Sequence, residues 1–204
     1  MFVLGLTGSI GMGKSTTAAM FRAEGIKVHD ADAVVHSLYR GAAAPAIEAA
    51  FPGAMRDGAV DRSRLGACVF DDPSALRRLE AIIHPMVAAS RDVFLAEATK
   101  SGERLVVLDV PLLFETGIDR MVDAVVLVSA PETVQKERAS ARPGMTPQRL
   151  AAILAKQIPD AEKRARAHFI IDTSSGFAAA ERQVRGILRA LAGAADKAKS
   201  RSEI

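Results

Sequence analysis

The chain reads as an α/β fold with a mostly parallel sheet, on three grounds. Four short runs, Phe2–Leu6, Leu105–Val110, Ala124–Val128 and Phe169–Ile171, are apolar almost throughout rather than alternating. Such runs suit strands buried on both faces, as parallel strands are when helices cover the sheet. Between them, apolar residues recur at helical spacing, most clearly Phe177, Ala180, Val184, Ile187, Leu188 and Leu191, with Arg182, Arg185 and Arg189 on other faces. Alternation of strand and helix defines the class. The third ground is bulk: 204 residues, 49% apolar and 25% charged, can fill one core and carry an insertion.

In chain order, Phe2–Leu6 is the first strand and Thr16–Ala23 a helix. Val28, with its run ending at Asp30, adds a second strand. Residues 33–104 break the alternation: they are Ala-rich, hold no strong strand run and show helical patches such as Leu76, Leu79, Ile82 and Ile83. This stretch reads as a helical insertion. The sheet resumes at Leu105 and Ala124. Residues from Arg138 to Gln157 interrupt it again, where Arg142-Pro143-Gly144 makes a loop and Thr146-Pro147 supplies an N-cap and first-turn proline for a new helix. We expect a mobile lid over about 138–157, a core of 1–32 and 105–192, and a flexible tail from 193 to 204, where apolar periodicity is lost.

Charge and composition narrow the partners. The formal net charge is +3, too small for a general nucleic-acid coat, and with aromatics at 4%, no Trp and only Tyr39 there is little surface for stacking single-stranded bases. The basic excess is local: residues 136–166 carry eight basic and three acidic side chains. Guanidinium forks concentrated in one segment fit a polyphosphate clamp, although most of these side chains are accounted for by solvated helix faces. Cys68 stands alone, which excludes an intramolecular disulfide or a cysteine-built zinc site, and beside Val69 it reads as a small buried hydrophobe. No apolar run nears the roughly 18 residues of a membrane span, and no signal peptide opens the chain, so a cytoplasmic protein is expected. Oligomeric state is not legible.

The chemistry begins at Gly8-Ser9-Ile10-Gly11-Met12-Gly13-Lys14-Ser15, which matches Gly-x-x-x-x-Gly-Lys-Ser/Thr between a strand and a helix. Glycines turn backbone N–H groups inward around a phosphate, and the following helix start adds partial positive charge. Lys14 would reach the outer phosphates and the Ser15 hydroxyl would ligate Mg²⁺. The fold is then a three-layer α/β/α P-loop core. The chain contains no Asn, so a guanine-reading Asn-Lys-x-Asp is impossible, and no Asp is followed three residues later by Gly. These absences disfavour a GTPase switch. Asp30-Ala31-Asp32 closes the second strand, at the sheet end where ligands gather. Asp30 reads as a helix cap and Asp32 as the base that accepts the proton of an attacking hydroxyl. Asp109, ending another buried strand, needs a partner such as Mg²⁺-bound water or Lys14. Arg138 and Arg142, in the expected lid, would stabilise the charge in transfer.

Together these residues resemble the dephospho-coenzyme A kinase family. The resemblance runs through Leu6 to Thr16, Asp30-Ala31-Asp32, Asp57-Gly58 with Asp61-Arg62, Leu79-Glu80 with Ile83-His84-Pro85, Asp109-Val110-Pro111-Leu112-Leu113-Phe114-Glu115, Gln135-x-x-Arg138-x-x-x-Arg142, and Ile171-Asp172-Thr173. It implies ATP- and Mg²⁺-dependent phosphorylation of the ribose 3′-hydroxyl of dephospho-CoA, with Asp32 as general base. Gly8 and Gly11 to Thr16 would hold the ATP phosphates, Arg138 and Arg142 would be lid arginines, and 33–104 would be a CoA-binding domain. His84, Pro85, Leu112, Leu113 and Glu115 would shape the acceptor side. Where the family pattern has Ala-Asp-Phe before Ile-Asp-Asn, this chain has Ala167-His168-Phe169 before Ile171-Asp172-Thr173. Two other readings remain open at the level of sequence, another P-loop small-molecule kinase and a non-catalytic nucleotide sensor.

Overall fold

In a computed structural model that describes residues 1–70 and 72–201, each apolar run forms a strand. β1 (Phe2–Thr7), β5 (Leu105–Asp109), β6 (Ala124–Ser129) and β7 (Phe169–Asp172) join β2 (Lys27–Asp30) in a five-stranded sheet of order β2-β5-β1-β6-β7. β1 pairs in parallel with β5 (Leu4 opposite Val107) and β6 (Leu6 opposite Val126), and β6 with β7 (Val128 opposite Ile171). Every residue of β5 and β6 is buried, as strands covered on both faces require. α1 (Lys14–Ala23) and α9 (Phe177–Arg201) pack on one face, where Phe21, Ala180, Val184 and Leu191 meet Leu4, Val126 and Ile171.

The chain divides into two compact units, residues 1–29 with 98–204 and residues 30–97. The second unit holds α2 (Ala31–Arg40), α3 (Ala44–Ala50), a short hairpin of β3 (Met55–Arg56) and β4 (Ala59–Val60), α4 (Arg62–Val69) and most of α5 (Pro73–Lys100). Ile47, Phe51, Leu65, Leu79 and Ile83 make its separate core. The hairpin was not expected in a helical insertion. Strands of two residues have no periodicity to read, and the signal lies in the turn: Asp57 (φ 50°) and Gly58 (φ 79°) both adopt the left-handed conformation of a tight hairpin.

Two further expectations are corrected. Cys68 is exposed, because the short α4 turns Leu65 and Val69 inward and Cys68 lies about 100° from Val69. Phe177, counted with the apolar face of the last helix, is 72% exposed at its first residue. The last helix continues to Arg201, and the end of the expected tail, 202–204, lies outside the described residues.

Candidate active site

The P-loop runs from the carboxyl end of β1 to α1. α1 starts at Lys14 behind Gly13 with no side-chain cap, so its first-turn N–H groups are left for a ligand rather than for the protein's own oxygens. Gly11 has φ 80°, and a Cβ there would stand 2.6 Å from the backbone carbonyl of Gln135. That position admits only glycine, because the next helix, α6 (Glu132–Ser140), presses directly against the loop. Met12 is buried beneath, its Sδ accepting the Ala130 N–H at 3.1 Å.

Lys14 Nζ lies 2.6 Å from Oδ1 of Asp109, whose side chain is 1% exposed at the end of β5. Lys14, one of the two partners that the sequence suggests for this carboxylate, is in contact with it. An ammonium has three donors, so one bond to Asp109 leaves donors for phosphate oxygens. Ser15 and Thr16 are exposed on the first turn of α1. The Ser15 hydroxyl, on the first turn of α1, and the Asp109 carboxylate, at the end of β5, are hard oxygen ligands. Such a donor set suits Mg²⁺, which takes one or two protein oxygens and completes its shell with phosphate and water.

Beside the loop, Gly13, Thr16, Arg138, Thr173, Gly176 and Phe177 line a cavity of about 210 Å³. Arg138 closes it as a fixed fork: NH1 donates to Thr173 Oγ1 at 2.8 Å and NH2 to Thr173 O at 2.9 Å. Thr173 Oγ1 donates onward to Met12 O at 2.9 Å, so the residue standing where the family pattern has Asn ties the last strand to the P-loop. Ser174 donates to Asp172 through its hydroxyl and backbone N–H, and these bonds, more than Arg164 and Arg138, hold the Asp172 carboxyl below its usual range.

The two arginines grouped by sequence are thus unlike. Arg138 belongs to α6 in the core and is half-buried, whereas Arg142 is exposed just beyond that helix. The expected helix start is present in α7 (Pro147–Ala155), with the Thr146 side chain accepting the Arg149 N–H at 3.2 Å.

Sequence reasoning missed one charged residue. Lys163, on α8 (Asp160–Arg166), is fully buried, 2.9 Å from Glu115 Oε1 and 3.5 Å from Ser9 Oγ. It was counted within the basic segment as one charge among eight; the signal was its place three residues after Asp160, on the face opposite the exposed side chains. Glu115 also accepts the Ile158 N–H at 2.8 Å. Burial alone would raise the Glu115 carboxyl; Lys163, Ile158 N–H and its own backbone N–H outweigh that and hold it low. Glu115 is therefore engaged inside the nucleotide unit. Leu113 is fully buried, and its methyl would meet a Cβ on Gly5 at 2.6 Å. Leu112 is half-buried.

In the second unit, Asp30 caps α2, Oδ1 accepting the Ala33 N–H at 3.0 Å, and Asp32 is exposed in the first turn of that helix. His84 and Pro85 are exposed on α5, which continues through the proline. His168 lies at the opposite, amino end of the sheet, where its Nδ1 accepts the Val125 N–H at 3.1 Å; it does not border the nucleotide cavity.

A phosphate loop on the first strand of a parallel sheet, with its lysine fixed on a neighbouring strand end, defines a P-loop nucleotide-binding fold. Residues 2–179 match the family model for dephospho-CoA kinase. The chain belongs to that family, and it is a kinase. It is 61% identical to a dephospho-CoA kinase of Mesorhizobium japonicum, covering 95% of this chain and 98% of that one. It is 57% identical to one from Rhodopseudomonas palustris, covering 94% and 96%. Among solved structures it is similar to TT1252 from Thermus thermophilus, with 34% identity, a TM-score of 0.81 and coverage of 94% and 97%. A dephospho-CoA kinase from Campylobacter jejuni, 23% identical at a TM-score of 0.64 and covering 93% and 96%, shares the fold. Among the described residues no helix is long and apolar enough to cross a membrane.

Proposed function

We propose that the chain transfers the γ-phosphoryl group of ATP to the ribose 3′-hydroxyl of dephospho-CoA, giving coenzyme A and ADP. The observation that carries the reading is the uncapped start of α1 behind a phosphate loop whose Lys14 is fixed on Asp109, in a chain of this family. The loop from Gly8 through Gly11, Met12, Gly13, Lys14, Ser15 and Thr16 cradles the phosphates with backbone N–H groups, and Lys14 neutralises charge on the outer ones. Ser15 and Asp109 would hold Mg²⁺, which supplies further neutralisation of phosphate charge. The cavity walled by Thr16, Arg138, Gly176 and Phe177 takes the nucleoside end of ATP, with the exposed Phe177 ring offering a face to the base.

Asp32 is the general base, accepting the proton of the ribose hydroxyl as it attacks. The neighbouring Asp30 spends its side chain on capping, which leaves Asp32 exposed on the first turn for chemistry. Arg142, exposed beside the Pro143-Gly144 turn, belongs to a lid over about 138–157 that brings a second guanidinium to the phosphates and excludes competing water. Residues 33–104 hold the acceptor, with His84, Pro85 and Leu112 at its surface. The enzyme is read as cytoplasmic, in keeping with its single cysteine. The test is ADP release from ATP and Mg²⁺ with and without dephospho-CoA, with the product weighed by mass spectrometry. ADP that forms only with dephospho-CoA, matched by product heavier by one phosphate, is expected. Equal turnover without it, or with a nucleoside monophosphate or sugar acid in its place, would overturn the assignment.

A further inference from the structure

The Gln135-x-x-Arg138 motif contains a residue to which the phosphate-transfer chemistry gives no task. Gln135 is buried on α6, and its Nε2 donates to the backbone carbonyl of Ile10 at 2.9 Å. The N–H of the same residue, Ile10, donates to Oε1 of Gln157 at 3.4 Å. Ile10 is the third residue of the phosphate loop, so both polar groups of its backbone are taken by side chains more than a hundred residues away. The two glutamines bracket the stretch from α6 to α8. Gln135 lies one helical turn before Arg138, and Gln157 lies two residues past the end of α7, next to Ile158, whose N–H is held by Glu115. Gly11, the next loop residue, is packed under the Gln135 backbone.

We infer that Gln135 and Gln157 are positioning residues that clasp the Ile10 backbone and hold the phosphate loop in register with the segment carrying Arg138 and Arg142. Neither touches the reacting atoms. Their effect is on the direction in which the loop's later N–H groups point, which Ile10 and Gly11 set. The clasp has opposite polarity on its two sides, since Gln135 acts as a donor and Gln157 as an acceptor. The loss of one neutral hydrogen bond corresponds to about a threefold to tenfold change in an equilibrium.

This polarity supplies the test, which rests on the reading of residues 8–16 as the phosphate loop. Mg·ADP affinity is measured by calorimetry for Gln135→Met, Gln135→Glu, Gln157→Met and Gln157→Glu, with KM for ATP and for dephospho-CoA alongside. Met and Glu both lack the donor, so both variants at 135 should weaken ADP about tenfold. At 157, Glu keeps an acceptor and should bind ADP more tightly than Met by about threefold. KM for ATP should rise with KM for dephospho-CoA unchanged. ADP binding by Gln135→Glu at the wild-type level, equal affinities for Met and Glu at 157, or a parallel rise in both KM values would overturn the inference; if the position-135 variants do not fold, the half-exposed position 157 decides it. Lys14→Met separates the two levels. Loss of ADP binding there with unaffected glutamine variants refutes the clasp alone, whereas unaffected binding by Lys14→Met refutes the loop reading beneath it.

Discussion

The Lys163–Glu115 pair allows a quantitative test of how the nucleotide unit is held together. Lys163 is wholly removed from solvent, and Glu115 is 14% exposed. Substituting Lys163→Met removes the cation while filling much the same volume, and strands a carboxylate whose second oxygen already lacks a hydrogen-bond partner. Breaking a buried pair from one side costs about 3–5 kcal/mol. Glu115 keeps the Ile158 N–H and a little water, so the lower end applies, about 3 kcal/mol. For a chain of this size that corresponds to a fall in Tm of about 6–12 °C. The double variant Lys163→Met/Glu115→Gln retains an acceptor for Ile158 and buries no unpaired charge, so it should recover most of the loss, with a coupling energy of about 2 kcal/mol.

Thermal and urea unfolding of the four proteins in the cycle, without nucleotide, measure this. A loss below about 1 kcal/mol for Lys163→Met, or a double variant as unstable as the two single losses added, would refute the reasoning. Acid supplies an independent check. Glu115 is held below its ordinary value near 4.5, so in the range between its folded and unfolded values the unfolded chain binds more protons. The stability it contributes is therefore full above that ordinary value and is lost as pH falls through the folded one. The gap between wild type and Glu115→Gln should narrow as pH drops below about 4.5, and a gap independent of pH would contradict the pairing.

Six other substitutions, at five positions, test the remaining assignments. Asp32→Asn should leave the melting temperature and ATP binding intact, because the cap is Asp30, while lowering kcat by about 10²–10⁴; near-normal turnover removes Asp32 from the base role. Gly11→Ala places a methyl 2.6 Å from the Gln135 carbonyl at φ 80°, so Mg·ADP binding measured by calorimetry should fall by tenfold or more, whereas ordinary affinity would mean that α6 gives way. Arg138→Lys loses the fork on Thr173 and should raise KM for ATP more than Arg142→Lys, which has no such fork to lose; steady-state kinetics giving the reverse order would refute the fixed-wall view of Arg138. His168→Ala should lower Tm by about 2–4 °C through loss of one acceptor, and His168→Asp should restore it, since a carboxylate can accept the same Val125 N–H; melting curves that coincide for the two variants would contradict this.

The strands and the phosphate loop were legible because their physics is local. A strand buried on both faces must be apolar at every position, and Leu105–Asp109 and Ala124–Ser129 carry that requirement in consecutive residues. The loop is likewise bounded by its own strand and helix. What was not legible depends on which way a side chain turns once the helices are placed. Lys163 and Arg166 are equivalent letters in a basic helix, yet one is sealed against Glu115 and the other lies 37% exposed beside Asp119. Cys68 and Phe177 failed for the same reason, since an apolar residue near a helix end falls on either side of the boundary with solvent. The hairpin at Met55–Val60 was hidden by its brevity rather than by its chemistry.

The same distinction explains why residues of one sequence motif take different physical parts. The run from Asp109 to Glu115 has a carboxylate at each end. Asp109 meets Lys14 at one side of the phosphate loop, and Glu115 meets Lys163, which reaches Ser9 at the loop's beginning. The loop is therefore flanked by two lysine–carboxylate pairs, one with its lysine 10% exposed and the other with its lysine wholly buried. The ammonium of the first retains donors at the loop, whereas that of the second is sealed from solvent. A buried pair contributes little net stability compared with apolar packing, but its geometry is strict. Its contact with Ser9, together with the Ile158 N–H on the same carboxylate, ties the beginning of the loop to α8 and to the Asp109–Glu115 run, whereas Lys14 at the loop's end is held from the other side by Asp109.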